Sequence, residues 1–400
     1  MNILFITSAK IQSIDNRAIY PDLLRKFRNE SHHIFILTPT ERRFKKKTHL
    51  IEEDGCKILN VWIPNLQKTN LFEKTISTLL IEFLFSRAYG RFFKNQKFDL
   101  ILYSTPPITF AKLIKHIKSQ TAAKTYLLLK DIFPQNAVDL KIFSQRSLIY
   151  KYFRNQEQKL YRISDHIGCM SPLNKKYVLA NNSGLDEAKV EVNPNSIFLL
   201  PQNVVSKSNR KPLEFLPKDK IIFVYGGNLG KPQGVDFLLE VINDSKTNSK
   251  AFFIIVGSGT ESQRMHSWFK KNKPENALLI DHLPQAEYDV LLRNCHVGLV
   301  FLNPAFTIPN YPSRILSYMD NKLPILFGVD KNTDVGIEAE AGNYGFSCEN
   351  GDLSTFRKYI DLLSNDTPLR IKMGNNGYDR LKKDFNVDYS YQMIMKHVKS

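Results

Sequence analysis

Short apolar runs alternate with segments of helical period along the whole chain. The apolar runs are residues 2–7, 33–38, 100–103, 125–129 and 166–170 in the first half, and 221–226, 251–257, 277–281, 297–302 and 324–328 in the second. The segments with helical spacing between them are 18–30, 110–119, 145–162, 234–243, 261–271, 285–294 and 313–321. Because apolar strands that alternate with helices are typical of parallel sheets covered on both faces, the pattern predicts two doubly wound, Rossmann-like α/β domains.

The boundary between the two domains is predicted in segment 201–220, which is polar, contains three prolines and lacks a helical period. We expect an N-terminal domain over 1–205, a C-terminal domain over 206–382, and a last helix within 383–400 that packs back on the N-terminal domain. Ligands of such sheets lie beyond the carboxyl ends of the strands. A central cleft between the two domains is therefore the expected site.

The positive charge of the chain is concentrated in its first half. The formal net charge is +17, and residues 1–200 hold 31 Lys and Arg against 17 Asp and Glu, whereas residues 201–400 hold 25 against 22. Many of these cations lie at 42–47 and between Lys68 and Lys97, where Lys74 and others flank an apolar segment. A helix over 71–94 would present the following apolar residues beside them: Leu71, Leu79, Leu80, Phe83, Leu84, Tyr89 and Phe92.

This basic helix has three interpretations. It is either a core helix with a solvated face, a helix that binds an anionic membrane, or part of a nucleic-acid site. No helix-turn-helix, zinc-finger or RNP-type motif accompanies the charge, so we expect no nucleic acid as partner.

The compartment is predicted from the N-terminus and the cysteines. The N-terminal segment has the pattern of a strand rather than of a signal peptide, and the four cysteines are scattered without a CxxC pair. No run of 18 uncharged apolar residues occurs. A cytoplasmic location is therefore expected.

Two glycine-rich loops follow strands of the second half. The first, GGNLGKPQG at 226–234, fits neither GxGxxG nor GxxxxGK[ST], but its glycines admit close approach of a ligand and Lys231 supplies a charge. The second, GSGTE at 257–261, follows the next strand. The alternative is an ordinary strand-to-helix turn with a solvent-exposed Lys231. A nicotinamide or flavin site at the N-terminus is not expected, because no glycine follows the first strand.

A third candidate element is PNYPSRILSYMDNKLPILFG at 309–328. Pro312 and Ser313 are typical of a helix start, with Ser313 as N-cap or first-turn residue, and free N–H groups there favour an anion. Arg314 adds a bidentate phosphate donor. Taken alone, the segment also fits a capped surface helix with a solvated arginine, and the glycine-rich loop favours the diphosphate interpretation.

In the first half, Lys130 and Asp131 end an apolar strand, where α/β ligands bind. Asp131 fits an acid/base group or a polar orienter, or else a solvated turn carboxylate. Arg17, after the first strand, either reaches towards the same site or lies on the surface of the following helix.

Other enzyme classes lack their motifs. The chain contains no HExxH, no GxSxG and no HxE with PCxxC, and its nine histidines form no ligand cluster. No DxD-type pair follows an apolar strand. We therefore expect no metal and no cofactor.

The order of these motifs resembles the retaining nucleotide-sugar glycosyltransferases of the GT-B fold (family 4-like), in particular the branch with fucosamine-type transferases of bacterial capsule and O-antigen synthesis. The resemblance covers nearly the whole chain and includes FDLILYSTPP (98–107), KDIFPQNAVDL (130–140) and MSPLNKKYV (170–178).

The resemblance implies roles for individual residues. The donor diphosphate would be surrounded by Gly227, Asn228, Lys231, Gln233, Ser313 and Arg314. Lys231 and Arg314 would be catalytic, stabilising the leaving diphosphate without a metal. Gly257 and Gly259 would lie near the nucleotide base, Asp131 near the acceptor and the reacting sugar, and Lys130 and Arg17 on the acceptor side.

The chain departs from the wider family at two positions. Two glutamates separated by seven residues are replaced by Pro309 and Ser317. Since the second glutamate usually holds the ribose, Ser317 would hold it only weakly, and the donor sugar is left open.

The resemblance further implies a UDP-sugar donor, such as a UDP-linked N-acetylated amino sugar (N-acetylfucosamine), and a lipid-linked (polyprenyl-diphosphate) saccharide acceptor. The enzyme would then lie peripherally on the inner face of the plasma membrane, bound through its basic N-terminal domain. The alternatives are a UDP-sugar 2-epimerase of the same fold and a non-catalytic membrane-surface or nucleic-acid binding protein.

Overall fold

The computed structural model describes residues 1–66, 69, 71–199, 213 and 215–398, with the backbone alone at 71, 72 and 74. The chain divides into two compact units, Met1–Phe198 with Val387–Ser400, and Leu199–Asn386. Lys68, the Lys74 side chain and most of the predicted linker, including the predicted 205/206 boundary, lie outside the described residues.

The first unit contains an eight-stranded sheet. Its strands are β1 (Asn2–Ile6), β2 (His33–Glu41), β3 (His49–Glu53), β4 (Cys56–Ile63), β5 (Leu100–Ser104), β6 (Lys124–Leu129), β7 (His166–Cys169) and β8 (Val190–Val192). The strand order is β3-β4-β2-β1-β5-β6-β7-β8, and every neighbouring pair is parallel except β3 and β4. The register sets Phe5 beside Ile36 on one side and Leu102 on the other, in the apolar core.

The helices of the first unit connect these strands. They are α1 (Ile19–Asn29), α2 (Leu71–Phe92), α3 (Ala111–Thr121), α4 (Gln135–Asp139), α5 (Leu148–Ile163) and α6 (Pro172–Ala180). Local sequence accounts for their starts: Ser147 accepts a hydrogen bond from the Tyr150 N–H at the start of α5, and Ser171, followed by Pro172, accepts one from Asn174.

The second unit contains a six-stranded sheet that is parallel throughout. Its strands are β9 (Ile221–Gly226), β10 (Ala251–Val256), β11 (Ala277–Ile280), β12 (Val297–Phe301), β13 (Ile325–Val329) and β14 (Gly345–Glu349), in the order β11-β10-β9-β12-β13-β14. Its helices are α7 (Val235–Asp244), α8 (Ser262–Asn272), α9 (Gln285–Leu292), α10 (Arg314–Asp320), α11 (Val335–Ala341), α12 (Leu353–Asn365) and α13 (Thr367–Asp384). The central strands are buried along their length, as their apolar runs predicted.

The chain returns to the first unit at its end through helix α14 (Val387–Met395), which packs against α1. Tyr391 lies edge-on to Phe27 with 4.9 Å between ring centroids, and Lys26 forms an ion pair with Asp388 at 2.7 Å. Ile394 and Met395 are buried in the core of the first unit. The predicted fold class of two Rossmann-like domains is confirmed.

The structure corrects the prediction for the basic helix. Helix α2 ends at Phe92, and Tyr89 faces the core rather than the exposed side, with only 1% of its surface accessible. Leu79, Leu80 and Phe83 are exposed as predicted. Tyr89 turns inward because it follows Ile81 and Phe85 at helical spacing, and these two residues are fully buried.

Candidate functional site

The first candidate site lies in the second unit and is built on the loop after β9. Gly227 has φ of +128°, which residues with a side chain rarely adopt, and its N–H donates to the Val256 carbonyl at 2.9 Å. The guanidinium of Arg314 lies beside Gly227, since a Cβ added there would be 3.5 Å from the arginine Cζ. The loop backbone and the predicted arginine are thus brought together.

Arg314 is the first residue of α10 and its guanidinium is enclosed. Its Cζ lies 4.3 Å from the centroid of the Tyr225 ring, in cation–π geometry. Its Nη1 is buried and has no hydrogen-bond partner among the residues that the structure describes. Guanidinium groups keep their charge in proteins, so a half-buried cation with one buried, unbonded donor atom lies next to the glycine-rich loop. The alternative of a solvated surface arginine is wrong.

Three tyrosines that the sequence analysis did not single out hold this arrangement. The Tyr225 hydroxyl donates to the Asn228 carbonyl at 2.8 Å, and the Gly226 N–H donates to the Tyr318 hydroxyl at 3.0 Å. Tyr288 packs so closely on Gly226 that an added Cβ would lie 1.8 Å from its hydroxyl oxygen. Gly226 therefore serves internal packing. The signal that would have found Tyr225 is its place in the strand just before Gly226 and Gly227.

Gln233 and Asn228 interact with each other inside the loop. The Gln233 Oε1 accepts hydrogen bonds from the Asn228 Nδ2 at 3.1 Å and from the Gly230 N–H at 3.2 Å. The structure thus gives Gln233 a role in shaping the loop. Lys231 begins the short 3₁₀ turn Lys231–Gln233, and its side chain is exposed to solvent.

Gly257 and Gly259 pack against the same loop. A Cβ added at Gly257 would lie 1.9 Å from the Gly227 carbonyl oxygen, and one at Gly259 would lie 2.2 Å from the Leu229 carbonyl oxygen. The two glycine-rich loops predicted from the sequence therefore form one backbone cluster, in which any side chain at 257 or 259 would displace residues 227–229.

Helix α10 begins where the sequence predicted a helix start, directly after Ser313. Ser313 directly precedes α10, is exposed, has helical dihedral angles and makes no capping hydrogen bond with its side chain, so of its two predicted roles the first-turn residue fits and the N-cap does not. Ser317 is partly exposed one turn into α10. In the loop that contains Pro309, the Tyr311 hydroxyl donates to the Glu338 carboxylate at 2.8 Å.

The second candidate site, in the first unit, lies where β6 ends. The Thr105 hydroxyl oxygen accepts hydrogen bonds from the backbone N–H groups of Lys130 (3.1 Å) and Asp131 (3.3 Å). The Lys130 Nζ donates to the Asn193 carbonyl at 3.3 Å, and the Asn136 Nδ2 donates to the Asp131 carboxylate at 2.9 Å. Lys130 and Asp131 are therefore held at the carboxyl edge of the sheet, as predicted from their position in the chain.

Burial shifts the pKa values of both side chains. It raises the pKa of Asp131 to about 6 and lowers the pKa of Lys130 to about 7. Asp131 is half-buried and accepts a hydrogen bond from Asn136, so it is not a fully solvated turn carboxylate. Tyr20 is close to this carboxyl group: burial, and then the charge of Asp131, raise the pKa of Tyr20 to about 12.

Arg17 lies in a different environment, just before α1. It is close to Asp22. Burial raises the pKa of the Asp22 carboxyl group, and the positive charge of Arg17 partly offsets this rise. Asp22 also bonds to Arg25 at 2.6 Å and accepts the Phe198 N–H at 2.9 Å.

The described residues contain neither a metal-binding cluster nor a membrane-spanning helix. No three His, Cys, Asp or Glu side chains in this part of the chain are grouped so that they could hold a metal ion. Among the described helices, none has the length and the apolar character needed to cross a bilayer.

Comparison with known proteins gives a consistent result. Residues 206–380 match the model of the family described as glycosyl transferases group 1. A relative named probable glycosyltransferase WbjE, from Pseudomonas aeruginosa, is 23% identical over 306 residues, which cover 74% of each chain. These matches confirm the predicted resemblance.

Solved structures share the fold across the chain. The sucrose-phosphate synthase tll1590 from Thermosynechococcus elongatus has a TM-score of 0.76 at 14% identity and covers 100% of this chain and 98% of its own. Anabaena Alr3699/HepE in complex with UDP has a TM-score of 0.69 at 14% identity, with 100% of both chains covered. A trehalose-6-phosphate protein from E. coli, bound with UDP-2-fluoro glucose, has a TM-score of 0.74 at 11% identity and covers 100% and 99%.

Proposed function

We propose that this glycosyltransferase, whose residues 206–380 match the group 1 glycosyl transferase model, transfers a sugar from a UDP-sugar to a lipid-linked saccharide. We propose further that the transfer retains the anomeric configuration and needs no divalent metal or other cofactor. The sugar would be an N-acetylated amino sugar such as N-acetylfucosamine, and the product a bacterial surface polysaccharide of the capsule or O-antigen type.

The observation that carries the UDP-sugar proposal is the environment of Arg314. Its buried, unpaired Nη1 lies beside the backbone of Gly227, where no side chain intervenes. When the anomeric bond of a nucleotide sugar breaks, negative charge develops on the leaving diphosphate, and a preorganised cation stabilises it. Lys231, exposed further along the same loop, would supply a second charge. The UDP and UDP-2-fluoro glucose of the similar folds support this ligand class.

The acceptor side rests on Lys130 and Asp131. A carboxyl group with a pKa near 6 is able to exchange a proton with an acceptor hydroxyl near neutral pH. The lipid-linked acceptor rests on the charge distribution, because a protein whose first half holds 31 Lys and Arg against 17 Asp and Glu is attracted to the anionic inner face of a plasma membrane. The proposed location is therefore cytoplasmic and peripheral on that face.

The test is turnover of Lys231→Ala and Arg314→Ala with a panel of UDP-sugars and a polyprenyl-diphosphate saccharide. Loss of one such electrostatic group is expected to lower kcat about 10²–10³-fold. Lys270→Ala, an exposed lysine on α8, is the matched control and should keep the parent rate. Near-parental turnover of both site variants would refute the assignment.

The same assay separates the alternatives. A 2-epimerase would release UDP without any acceptor. A non-catalytic binding protein would show no UDP-sugar-dependent thermal shift. A rate that falls on addition of EDTA and returns with Mg²⁺ would contradict the proposed metal independence.

A further inference from the structure

Helices α2, α3 and α5 form one layer on one side of the first unit's sheet. They connect β4 to β5, β5 to β6 and β6 to β7, and the strand order makes all three connections run in the same direction. Since such crossovers are right-handed, the three helices lie on the same side of the sheet. α3 contacts both α2 and α5, and Glu82 of α2 accepts the N–H groups of Lys112 and Leu113 at the start of α3 (2.7 and 3.0 Å).

The layer exposes an apolar patch on α2, here called the α2 patch. It consists of Ile76, Leu79, Leu80 and Phe83, and 62% of the surface of Phe83 is accessible. The spacing of these residues places them on one face of the helix. The opposite side of α2 is in the core, where Ile81 and Phe85 are fully buried. Helix α2 therefore has two apolar faces: one packs into the core, and the other, the α2 patch, is exposed.

A second apolar patch surrounds the start of α5, and no sequence pattern singled it out. This α5 patch consists of Ile142, Leu148, Ile149 and Tyr152, and 82% of Leu148 is accessible. Its chain neighbours contact the candidate acceptor segment: Phe133, two residues after Asp131, lies 6.2 Å from Phe143 and 5.0 Å from Phe153 between ring centroids. Phe143 follows Ile142 and Phe153 follows Tyr152.

Both patches lie among cations. The exposed charged residues of α2, α3 and α5 are Arg87, Arg91, Lys112, Lys115, Lys151, Lys159 and Arg162, and Lys141 and Arg146 precede α5. None of the exposed residues that the structure describes in these three helices is acidic. Their carboxylates have partners: Glu73 accepts from Thr69, Glu82 from the start of α3, and Glu157 from Tyr161. The layer thus presents apolar groups and positive charge together.

We propose that this layer is a docking surface for an anionic phospholipid bilayer, with the α2 and α5 patches in the headgroup region and the surrounding cations on lipid phosphates. This rests on the lipid-linked acceptor proposed above. Charge complementarity favours a bilayer over a protein partner, since exposed cations flank both patches. Because each helix follows a parallel strand, all three begin at the carboxyl edge that carries Lys130 and Asp131. Docking through both patches holds that edge next to the lipid.

The experiment is flotation of the full chain with vesicles of phosphatidylcholine alone or with phosphatidylglycerol. Two double variants remove the patches, Leu79→Ser with Phe83→Ser and Leu148→Ser with Ile149→Ser. A third, Arg87→Ala with Arg91→Ala, removes charge. The apolar variants are expected to lower partition onto anionic vesicles at least about 10-fold. The charge variant should lower it about 30-fold at low salt, from the typical contribution of each cation, and less at high salt.

Matched controls come from the second unit. Ile371→Ser removes an apolar side chain with 61% of its surface exposed on α13, and Lys270→Ala with Lys271→Ala removes two exposed cations on α8. These variants should bind vesicles like the parent. Parental binding by the α5 double variant would overturn the two-patch surface, and equal binding of the parent to neutral and anionic vesicles would overturn its electrostatic part.

Two further measurements separate other outcomes. Every docking variant should keep the thermal shift that the UDP-sugar causes in the parent. If the parent shows no such shift but its vesicle binding still depends on both patches, the proposed function is wrong and the docking surface stands. Light scattering reports the oligomeric state. A patch variant that turns a dimer into a monomer without changing vesicle binding would show that the patch joins two copies of the chain, and the docking proposal would be wrong.

Discussion

At the scale of single residues, two neighbouring side chains illustrate how burial tunes charge. Lys130 and Asp131 follow β6 directly, and burial moves their pKa values towards each other, to about 7 and about 6. In water both groups would be fully charged at neutral pH. At the carboxyl edge of the sheet they are instead poised to change charge near neutrality, which suits groups that handle protons.

This shift predicts a pH-dependent effect of Asp131→Asn on stability. The folded pKa of Asp131, about 6, exceeds the unfolded value of about 3.9, so the folded state binds more protons between them and stability falls as pH rises through this range. Asp131→Asn, which cannot ionise, is therefore expected to be up to about 3 kcal/mol more stable than the parent at pH 8 and within about 0.5 kcal/mol of it at pH 4. Urea unfolding at both values measures this.

The control for this prediction is Glu240→Gln, which changes an exposed carboxylate on α7. Burial also shifts the pKa of Lys130, but the resulting contribution to stability is the same in the parent and in the variant. A stability difference between Asp131→Asn and the parent that is the same at pH 4 and pH 8 would contradict the raised pKa.

At the scale of elements, the glycine-rich loop after β9 depends on its backbone packing against the loop after β10. Residues 227–229 lie against 257–259, and the glycines at 257 and 259 leave room for carbonyl oxygens rather than for side chains. The GSGTE segment therefore supports the loop beside Arg314. The resemblance implied only a place near the nucleotide base for these glycines, and not this supporting role.

Gly257→Ala is expected to displace the loop, because its Cβ would lie 1.9 Å from the Gly227 carbonyl oxygen. Neither atom is at the end of a flexible side chain, so the backbone itself must move. We expect a loss of about 1–3 kcal/mol in stability, as for overpacked cores, and a KM for the UDP-sugar at least about 10-fold higher. Gly90→Ala is the control: nothing lies within 4 Å of the added Cβ on α2, so stability should rise by about 0.5–1 kcal/mol. An unchanged KM for Gly257→Ala would contradict the supporting role.

The strands that the apolar runs did not predict are β3, β8 and β14, which lie at sheet edges, and β4, which is largely buried. Strands β3 and β4 form an antiparallel pair at the edge of the first sheet, and β3 is only half-buried. The signal for their turn was Asp54-Gly55, in which Gly55 has φ of +67°. β8 and β14 are edge strands as well, and edge strands need not be continuously apolar because one side lies open.

At the scale of the whole molecule, the chain crosses twice between its two units. Residues 387–398 belong to the first unit, where Ser390 donates to the Asn193 side chain at 2.7 Å, and the Asn193 carbonyl in turn accepts from Lys130. The end of the chain is therefore part of the structure that supports the candidate acceptor site.

Ile394→Ala tests this dependence in the full chain. Ile394 is fully buried between α14 and the first unit's core, so its truncation is expected to cost about 2–4 kcal/mol in the free energy of unfolding. Ile337→Ala, at a site on α11 with 66% of the side chain exposed, should cost less than about 0.5 kcal/mol. Equal urea midpoints for the two variants would show that α14 contributes nothing to the first unit.

The sequence by itself determined the alternation of strands and helices, the concentration of charge in the first half, and the candidate loops at the carboxyl ends of β6, β9 and β10. These are local properties, since periodicity, glycine content and charge are set by neighbouring residues. Only the tertiary structure decided that Arg314 packs on Tyr225 beside Gly227, that Ser313 caps nothing, and that Leu148 joins an exposed patch. The first depends on residues far apart in the chain, and the other two depend on which groups the rest of the fold leaves exposed, which no local pattern encodes.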